Sequence, residues 1–396
     1  EWLGMSDQVR TLVSRNADYV VALRQHLHMY PEVGTQEVET QRKIMDELRA
    51  FGLTPRASGK TGVVAEIKGA HPGKTVALRA DIDALPIQDE CGKPYQSRRD
   101  NVCHACGHDG HTAMLIGAAK IFSSLREELS GNIRLLFQPN EERMPGGALS
   151  LIAEGALEGV DYVLGAHLWQ PLPAGTIGVT YGRMMAAPDE FSIVVTGRGG
   201  HGSMPHQTVD TLLVGAQLVV ALNTIISRSV DPMDNAVLSL GVFRSGDVFN
   251  VIPGKAELSG TVRTFEAGVR ESIFTRIDQI AKGICEAAGA TYELKRIVGY
   301  PPLINHPAVS RLVAEVGEEV LVLGAKSVVE IKPVMGAEDF AYYLQQVPGA
   351  FFYVGVGNVE IGAGYPHHHP KFDIDEKALG YGMEIMIRVA LRLLGK

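Results

Sequence analysis

FSIVVTGRGGHGSMPHQTVDTLLVGAQLVVAL, residues 191–222, runs from an apolar segment through a glycine-rich turn into a long apolar stretch. Residues 191–196 read as a strand, and the spacing of apolar residues over 209–227 predicts a helix. Strands follow at 236–243 and 255–264, then a helix at 270–288 and a strand at 291–297. This β-α-β-β-α-β order is the split ferredoxin-like unit, and it has the size of a separate domain. Pro301-Pro302 closes it.

The flanking sequence follows a different rule. Helical spacing at 9–27 and at 44–51, closed by Gly52, is followed by strands at 62–67, 75–79, 132–137 and 162–166, with a helix at 112–125 between them. Beyond the prolines come a helix, a strand at 350–356 and a final helix at 377–394. Such alternation predicts an α/β layer with a mostly parallel central sheet. The chain therefore reads as one α/β domain, 5–187 and 300–396, interrupted by an inserted domain at 188–299. Its motif residues fall at strand ends and in the loops after them, where open α/β sheets place their active sites.

Composition narrows the function. With 396 residues, 45% hydrophobic and 21% charged, the chain supports more than one core. A formal charge of −8 argues against a nucleic-acid partner and leaves no basic stripe for a membrane surface. Four cysteines in a chain of this length do not make a disulfide framework, which points to a reducing, cytoplasmic setting. Residues 1–4 lack the basic and apolar regions of a signal peptide, and Met5 reads as the natural start. The most apolar helical segment, 212–226, is too short to span a bilayer.

The chemistry concentrates in CHACGHDGH, residues 103–111, with two cysteines, three histidines and an aspartate. A structural zinc ribbon would need a second Cys-x-x-Cys pair, whereas Cys91 and Cys285 are remote singles. Covalent haem needs a histidine directly after the second cysteine, and Gly107 stands there. What remains is Cys106-Gly107-His108 in a loop ahead of a helix starting near Thr112, a thiolate and imidazole pair suited to zinc or another late first-row divalent ion. Further candidates come from Gln138-Pro139-Asn140-Glu141-Glu142 after one strand, from His167 at the end of the next, and from Tyr365-Pro366-His367-His368-His369-Pro370. Adjacent glutamates at a strand end can divide their tasks, one binding metal and the other handling a proton.

The stretches LRADIDALP, HACGHDGHTAM, FQPNEE, GGHGSMPH, NVIPGKAEL and HHPKFDID resemble, in order and over essentially the whole chain after Met5, the metallopeptidase family of hippurate hydrolases, N-acyl-L-amino-acid amidohydrolases and auxin-conjugate hydrolases. The resemblance implies a zinc-peptidase-like catalytic domain and an inserted lid that dimerises. It also implies a binuclear site held by Cys106, His108, Glu142, His167 and His368, with Glu141 as general base. His201 would stabilise the oxyanion in a partner subunit's site, and Asn250 and Arg263 would contact the substrate carboxylate. An arginine fork matches that carboxylate's geometry, although Arg263 also reads as a surface strand residue.

Two positions depart from the wider superfamily. Where relatives carry His-x-Asp, this chain has Asp81-Ile82-Asp83, so Asp81 is not expected to ligate and Asp83 is expected to orient an imidazole. His367 stands where an apolar residue is usual, leaving the ligand to be chosen among His367, His368 and His369. Cys103 reads as an apolar filler, His104 as a pocket residue, and Asp109 and His111 as caps of the following helix. His26 and His28 read as packing or surface residues, and His71 and His306 as solvated. The loop Thr196-Gly-Arg-Gly-Gly-His-Gly lacks the ending of a phosphate loop.

The expected reaction is amide hydrolysis of an N-acyl amino acid by a metal-activated water, with two divalent ions (zinc, manganese, cobalt or nickel) per subunit of a homodimer or homotetramer. The rivals are a carboxypeptidase or dipeptidase on the same scaffold and a non-catalytic metal-binding protein.

Overall fold

A computed structural model describes residues 2–395 and divides the chain into two compact units. Glu1, of the residues 1–4 read as preceding the natural start, lies outside the described residues, and the chain from Trp2 already belongs to the first helix. The first unit comprises Glu1–Gly182, Ile304–Lys332 and Asp339–Lys396, and the second Arg183–Leu303 with Pro333–Glu338. The sequence reading placed the insert at 188–299 and left 333–338 with the outer domain. Those residues fall in the second unit because backbone bonds from Val334 to Met184 and from Ala186 to Gly336 tie them there.

In the first unit α1 (Trp2–Met29), α2 (Val38–Ala50), β1 (Arg56–Ser58), β2 (Gly62–Lys68) and β3 (His71–Asp81) lead to α3 (His108–Ser124), β4 (Ser130–Gln138), α4 (Ala148–Ala153), β5 (Tyr162–Pro173) and β6 (Ile177–Val179). In the second come β7 (Arg183–Met185), β8 (Ala187–Thr196), β9 (Gly200–His201), α5 (Thr211–Leu222), α6 (Thr224–Ser229), β10 (Ala236–Arg244), β11 (Val251–Ile252), β12 (Lys255–Thr264), α7 (Ala267–Ala288) and β13 (Thr291–Val298). Then β14 (Leu303–Ile304), α8 (Pro307–Val320), β15 (Val328–Glu330), α9 (Ala341–Leu344), β16 (Gly349–Gly357) and α10 (Lys377–Leu393) complete the described chain.

Among the described residues the central sheet of the first unit has the order β1-β2-β4-β3-β5-β16-β6-β15. The pairs β3 with β4, β3 with β5, β5 with β16 and β6 with β15 are parallel. β16 is buried from Gly349 to Val356, the continuous burial expected of a parallel strand covered on both faces. α3, α1 and α10 pack together over this sheet, and α3 is buried on nearly every face. The crossover strands β3, β4 and β5 run side by side, so their ends and following loops gather in one place.

The second unit is a four-stranded antiparallel sheet, β10-β12-β8-β13, with α5 and α7 packed on one face around Phe191, Ile193, Leu218, Leu258 and Ile277. Its other face is open and forms a cavity of about 590 Å³ lined by Glu190, Ser192, Thr261, Arg263 and Lys295 among others. The single helix expected over 209–227 is two, because the Asn223 side chain bonds back to the Val219 carbonyl (2.7 Å) and competes with the helical ladder. All four cysteines are free thiols. Among the described residues no helix is long and apolar enough to cross a membrane.

Candidate metal centre

The centre grows from Gly107. Its φ of +87° places it in the left-handed region as the N-cap of α3, a conformation glycine adopts without penalty. The helix starts at His108, not near Thr112 as the spacing suggested, because its polar first turn is satisfied by distant partners rather than by apolar periodicity. Gly110 then lets the helix press on β5, since a Cβ there would collide with Leu168. His167 likewise lies within β5, opposite Tyr353 of β16, and not at the strand's end. The ladder continues because the β5 and β16 backbones pair as far as Pro173 and Gly357.

These local choices bring four segments together. Cys106 Sγ lies 3.6 Å from His167 Nε2. Glu142 Oε1 lies 3.4 Å from His368 Nε2 and 3.8 Å from His108 Nε2, and Glu141 Oε2 lies 4.0 Å from the same nitrogen. Donor atoms of Cys106, His108 and His167 fall within 4.8 Å of one another, as do those of Cys106, Glu142 and His368, and those of His108, Glu141 and Glu142. The three groups overlap through Cys106, His108 and Glu142.

Hydrogen bonds settle which ring nitrogens face inward. His108 donates from Nδ1 to the Asp83 carbonyl (2.8 Å), with Asp83 Oδ1 at 3.2 Å, and His167 donates from Nδ1 to the Leu168 carbonyl (2.8 Å). Both Nε2 atoms are therefore the ring nitrogens turned toward the other donors. His367 donates from Nε2 to the same Leu168 carbonyl (2.9 Å) and turns that nitrogen away, whereas His368, held at φ +65°, faces Glu142. Asp81 is engaged by Arg79 (3.0 Å) and by His111 Nδ1, whose Nε2 accepts from the Leu168 N–H (2.8 Å). Asp83 Oδ2 also accepts from the Glu142 N–H (3.0 Å), so one aspartate orients an imidazole and the glutamate turn together.

A divalent cation fits this donor set. His108 Nε2 and Glu142 Oε1 are buried polar atoms without a hydrogen bond, a costly arrangement unless another ligand completes them. The pocket's charge agrees. Burial and the carboxylates of Glu142, Glu141 and Asp81 push the Cys106 thiol well above its ordinary range. Burial lowers His108, but Asp81, Asp83 and Glu142 outweigh it and raise the imidazole to about 10. Burial and the neighbouring His111 and His367 hold His167 well below its usual value. The Cys106 thiol and the His108 imidazole are thus held in their protonated forms, and those protons are the ones a bound cation would displace.

His201, Asn250 and Arg263 belong to the second unit. His201 and Asn250 are exposed on the β9–β11 ribbon, where the Gly202 N–H donates to the Asn250 carbonyl (2.8 Å). His201 Nδ1 accepts from the Ser203 N–H (3.1 Å) and hydroxyl (2.8 Å), leaving the ring proton on Nε2. Arg263 is half-buried in the open-face cavity. Cys103 and His104 are both buried, and burial pushes His104 down to about 3. His26, His71 and His306 are exposed, while His28 is buried in an ion cluster with Asp89 and Asp109. Arg24 was missed, although an arginine within the stripe Val20, Leu23, Leu27 was a legible sign of a buried charge.

Comparison with known proteins agrees with this geometry. The model of peptidase family M20/M25/M40 matches residues 77–392. An N-acyl-L-amino acid amidohydrolase of Geobacillus stearothermophilus is 49% identical over 76% of this chain and 81% of its own. Thermostable carboxypeptidase 1 of Saccharolobus solfataricus is 38% identical over 96% of each chain. The crystal structure of the Bacillus subtilis YXEP protein, described as a dinuclear metal binding peptidase, is 35% identical and superposes with a TM-score of 0.84 over 96% of this chain and 99% of that one. With the family's model matched from the third strand to the last helix, and relatives of 49% and 38% identity aligned over 76% and 96% of this chain, the chain belongs to peptidase family M20/M25/M40 and is a hydrolase of that family.

Proposed function

We propose that the protein is a metal-dependent amidohydrolase that cleaves the amide bond of N-acyl amino acids. The observation that carries this reading is the pair of unsatisfied buried atoms, His108 Nε2 and Glu142 Oε1, within a donor set next to a second, buried carboxylate, Glu141. Cys106, His108, Glu142, His167 and His368 would hold two divalent ions, of zinc, manganese, cobalt or nickel. Such ions supply Lewis acidity, polarising an acyl carbonyl and lowering the pKa of water.

The residues do the rest. Glu141, 7% exposed, takes the proton of the attacking water and delivers it to the leaving amine nitrogen. Asp83 keeps His108 in one tautomer and orientation. His201 presents an Nε2–H from an exposed ribbon, suited to donate to the developing oxyanion of a partner subunit's site. Asn250 and the Arg263 fork bind the substrate carboxylate. Leu212, Leu213 and Val220 on α5, with Phe249, leave apolar surface exposed on the second unit, which supports a homodimer built through it. The four free thiols suit a cytoplasmic protein.

Activity on a carboxypeptidase's peptides is the rival, supported by the Saccharolobus relative. A ninhydrin screen of acetyl-, benzoyl- and long-acyl amino acids beside dipeptides, with each metal in turn, separates the two. Faster release from N-acyl amino acids is expected. Preference for dipeptides would assign a peptidase, and metal binding without turnover of any substrate would leave a non-catalytic protein.

A further inference from the structure

A second polar cluster lies behind the metal centre, and the chemistry above does not use it. Arg24 of α1 is fully buried. Its Nε donates to Asp109 Oδ2 (2.8 Å), Nη2 to Asp373 Oδ1 (3.0 Å) and Nη1 to Glu376 Oε1 (3.1 Å). His28, one turn on, bonds Asp109 Oδ2 (2.7 Å) and Asp89 Oδ2 (3.1 Å). The Tyr95 hydroxyl donates to Asp373 Oδ2 (2.8 Å), and its ring lies 4.9 Å beneath the guanidinium carbon.

We propose that Arg24 is a positioning residue of the metal centre, one guanidinium fixing the segment that carries Cys106 and His108 to the segment that carries His368. The proposal rests on the metal-binding reading above. Asp109 directly follows His108 in the first turn of α3. Asp373 and Glu376 follow His368 on a loop held by bonds from the Phe372 N–H to the His369 carbonyl (2.9 Å) and from the Glu90 N–H to the Pro370 carbonyl (2.8 Å). At its other end this loop meets the cysteine turn directly, through the His368 N–H and the Ala105 carbonyl (2.8 Å). The His368 loop is thus fastened at its histidine and again beyond it, and Arg24 supplies one of the later fastenings.

Arginine suits the task because its donors are fixed in one plane and reach three carboxylates at once, which a lysine's single ammonium does not do. Stability alone is a poor reason for the cluster. Buried ion pairs are often replaceable by apolar side chains at little cost, while removing one partner leaves an uncompensated charge. Geometry at a distance is what such a network provides best.

Cobalt(II) titration of the metal-depleted full chain tests this, read by affinity and by the thiolate-to-cobalt absorption band. The parent should bind two ions. Arg24→Lys keeps the charge and loses the fork. It should fold, bind cobalt about tenfold or more weakly, as for other residues that orient ligands, and show an altered band. Asp373→Asn keeps the shape and weakens only the tie to the His368 loop, so one ion should weaken about tenfold and the other hold. Folded variants that melt earlier yet bind both ions with parental affinity and an unchanged band would show a role in stability alone and overturn the proposal. If Arg24→Lys does not fold, Asp373→Asn decides by the same criterion. A parent that takes up no cobalt overturns the metal reading itself, and the positioning role with it.

Discussion

The pocket around His108 and the ribbon around His201 present chemistry in opposite ways. Each pocket group leans on another buried group: Asp83 on His108 and the Glu142 N–H, Asp81 on His111, Arg24 on Asp109. Interior polar groups must be satisfied, so a network of this kind is rigid and any vacancy in it is costly. The His201 ring leans on Ser203, two residues away, and is exposed. Substitution of the pocket's proposed ligands should therefore disturb metal or fold, and ribbon substitutions should disturb turnover alone.

The sharpest break of this contrast is Glu141→Gln. It should cost two orders of magnitude or more in kcat, as expected for loss of a general base, while elemental analysis finds parental metal. An activity near the parent's would remove Glu141 from the reaction. Its neighbour is the control. Glu142→Gln and Cys106→Ser should each lose metal as well as activity, and either variant retaining both ions in full would leave the centre's ligand set wrong.

On the ribbon, His201→Ala should be nearly inactive with unchanged melting and metal content. If His201 serves a partner's site, refolding it together with Glu141→Gln gives mixed dimers in about half of cases, each with one intact site, so roughly a quarter of parental activity should return by two-fold statistics. Mixed dimers confirmed by size yet inactive would confine His201 to its own subunit or to no role.

The smallest effect is confined to stability. Glu37 is fully buried, accepts from the Thr61 hydroxyl (2.6 Å) and the Asn140 N–H (2.9 Å), and is pushed up to about 7 by burial, with Asp83 adding to it. A raised carboxyl holds its proton longer in the folded chain than in the unfolded one. Stability from this group is therefore present below about pH 4.5 and falls as pH rises to 7, by about 3 kcal/mol. Glu37→Gln should flatten that part of the curve of melting temperature against pH. Parallel curves for parent and variant would contradict the assignment.

Much of the pocket could be read in advance because its residues cluster in short motifs. Cys106, His108, Glu141, Glu142, His167 and His368 all stood out, and the structure brings them within reach of one another. Two of the departures share a cause. α3 begins four residues earlier than its apolar spacing indicates, since the turn His108-Asp109-Gly110-His111 is buried among polar partners, and periodicity reports only apolar burial. Arg24 went unread for the same reason: its partners Asp109 and Asp373 lie 85 and 349 residues away.

The sequence by itself determined the alternation of strands and helices, the β-α-β-β-α-β insert and the residue types available for chemistry, because these depend on neighbours along the chain. Only the tertiary structure decided that His368 rather than His367 faces Glu142, that His167 sits inside a strand, and that Asp83 orients both an imidazole and the glutamate turn. Those outcomes follow from hydrogen bonds that buried groups must find somewhere, and in this fold they are found on strands and loops remote in sequence.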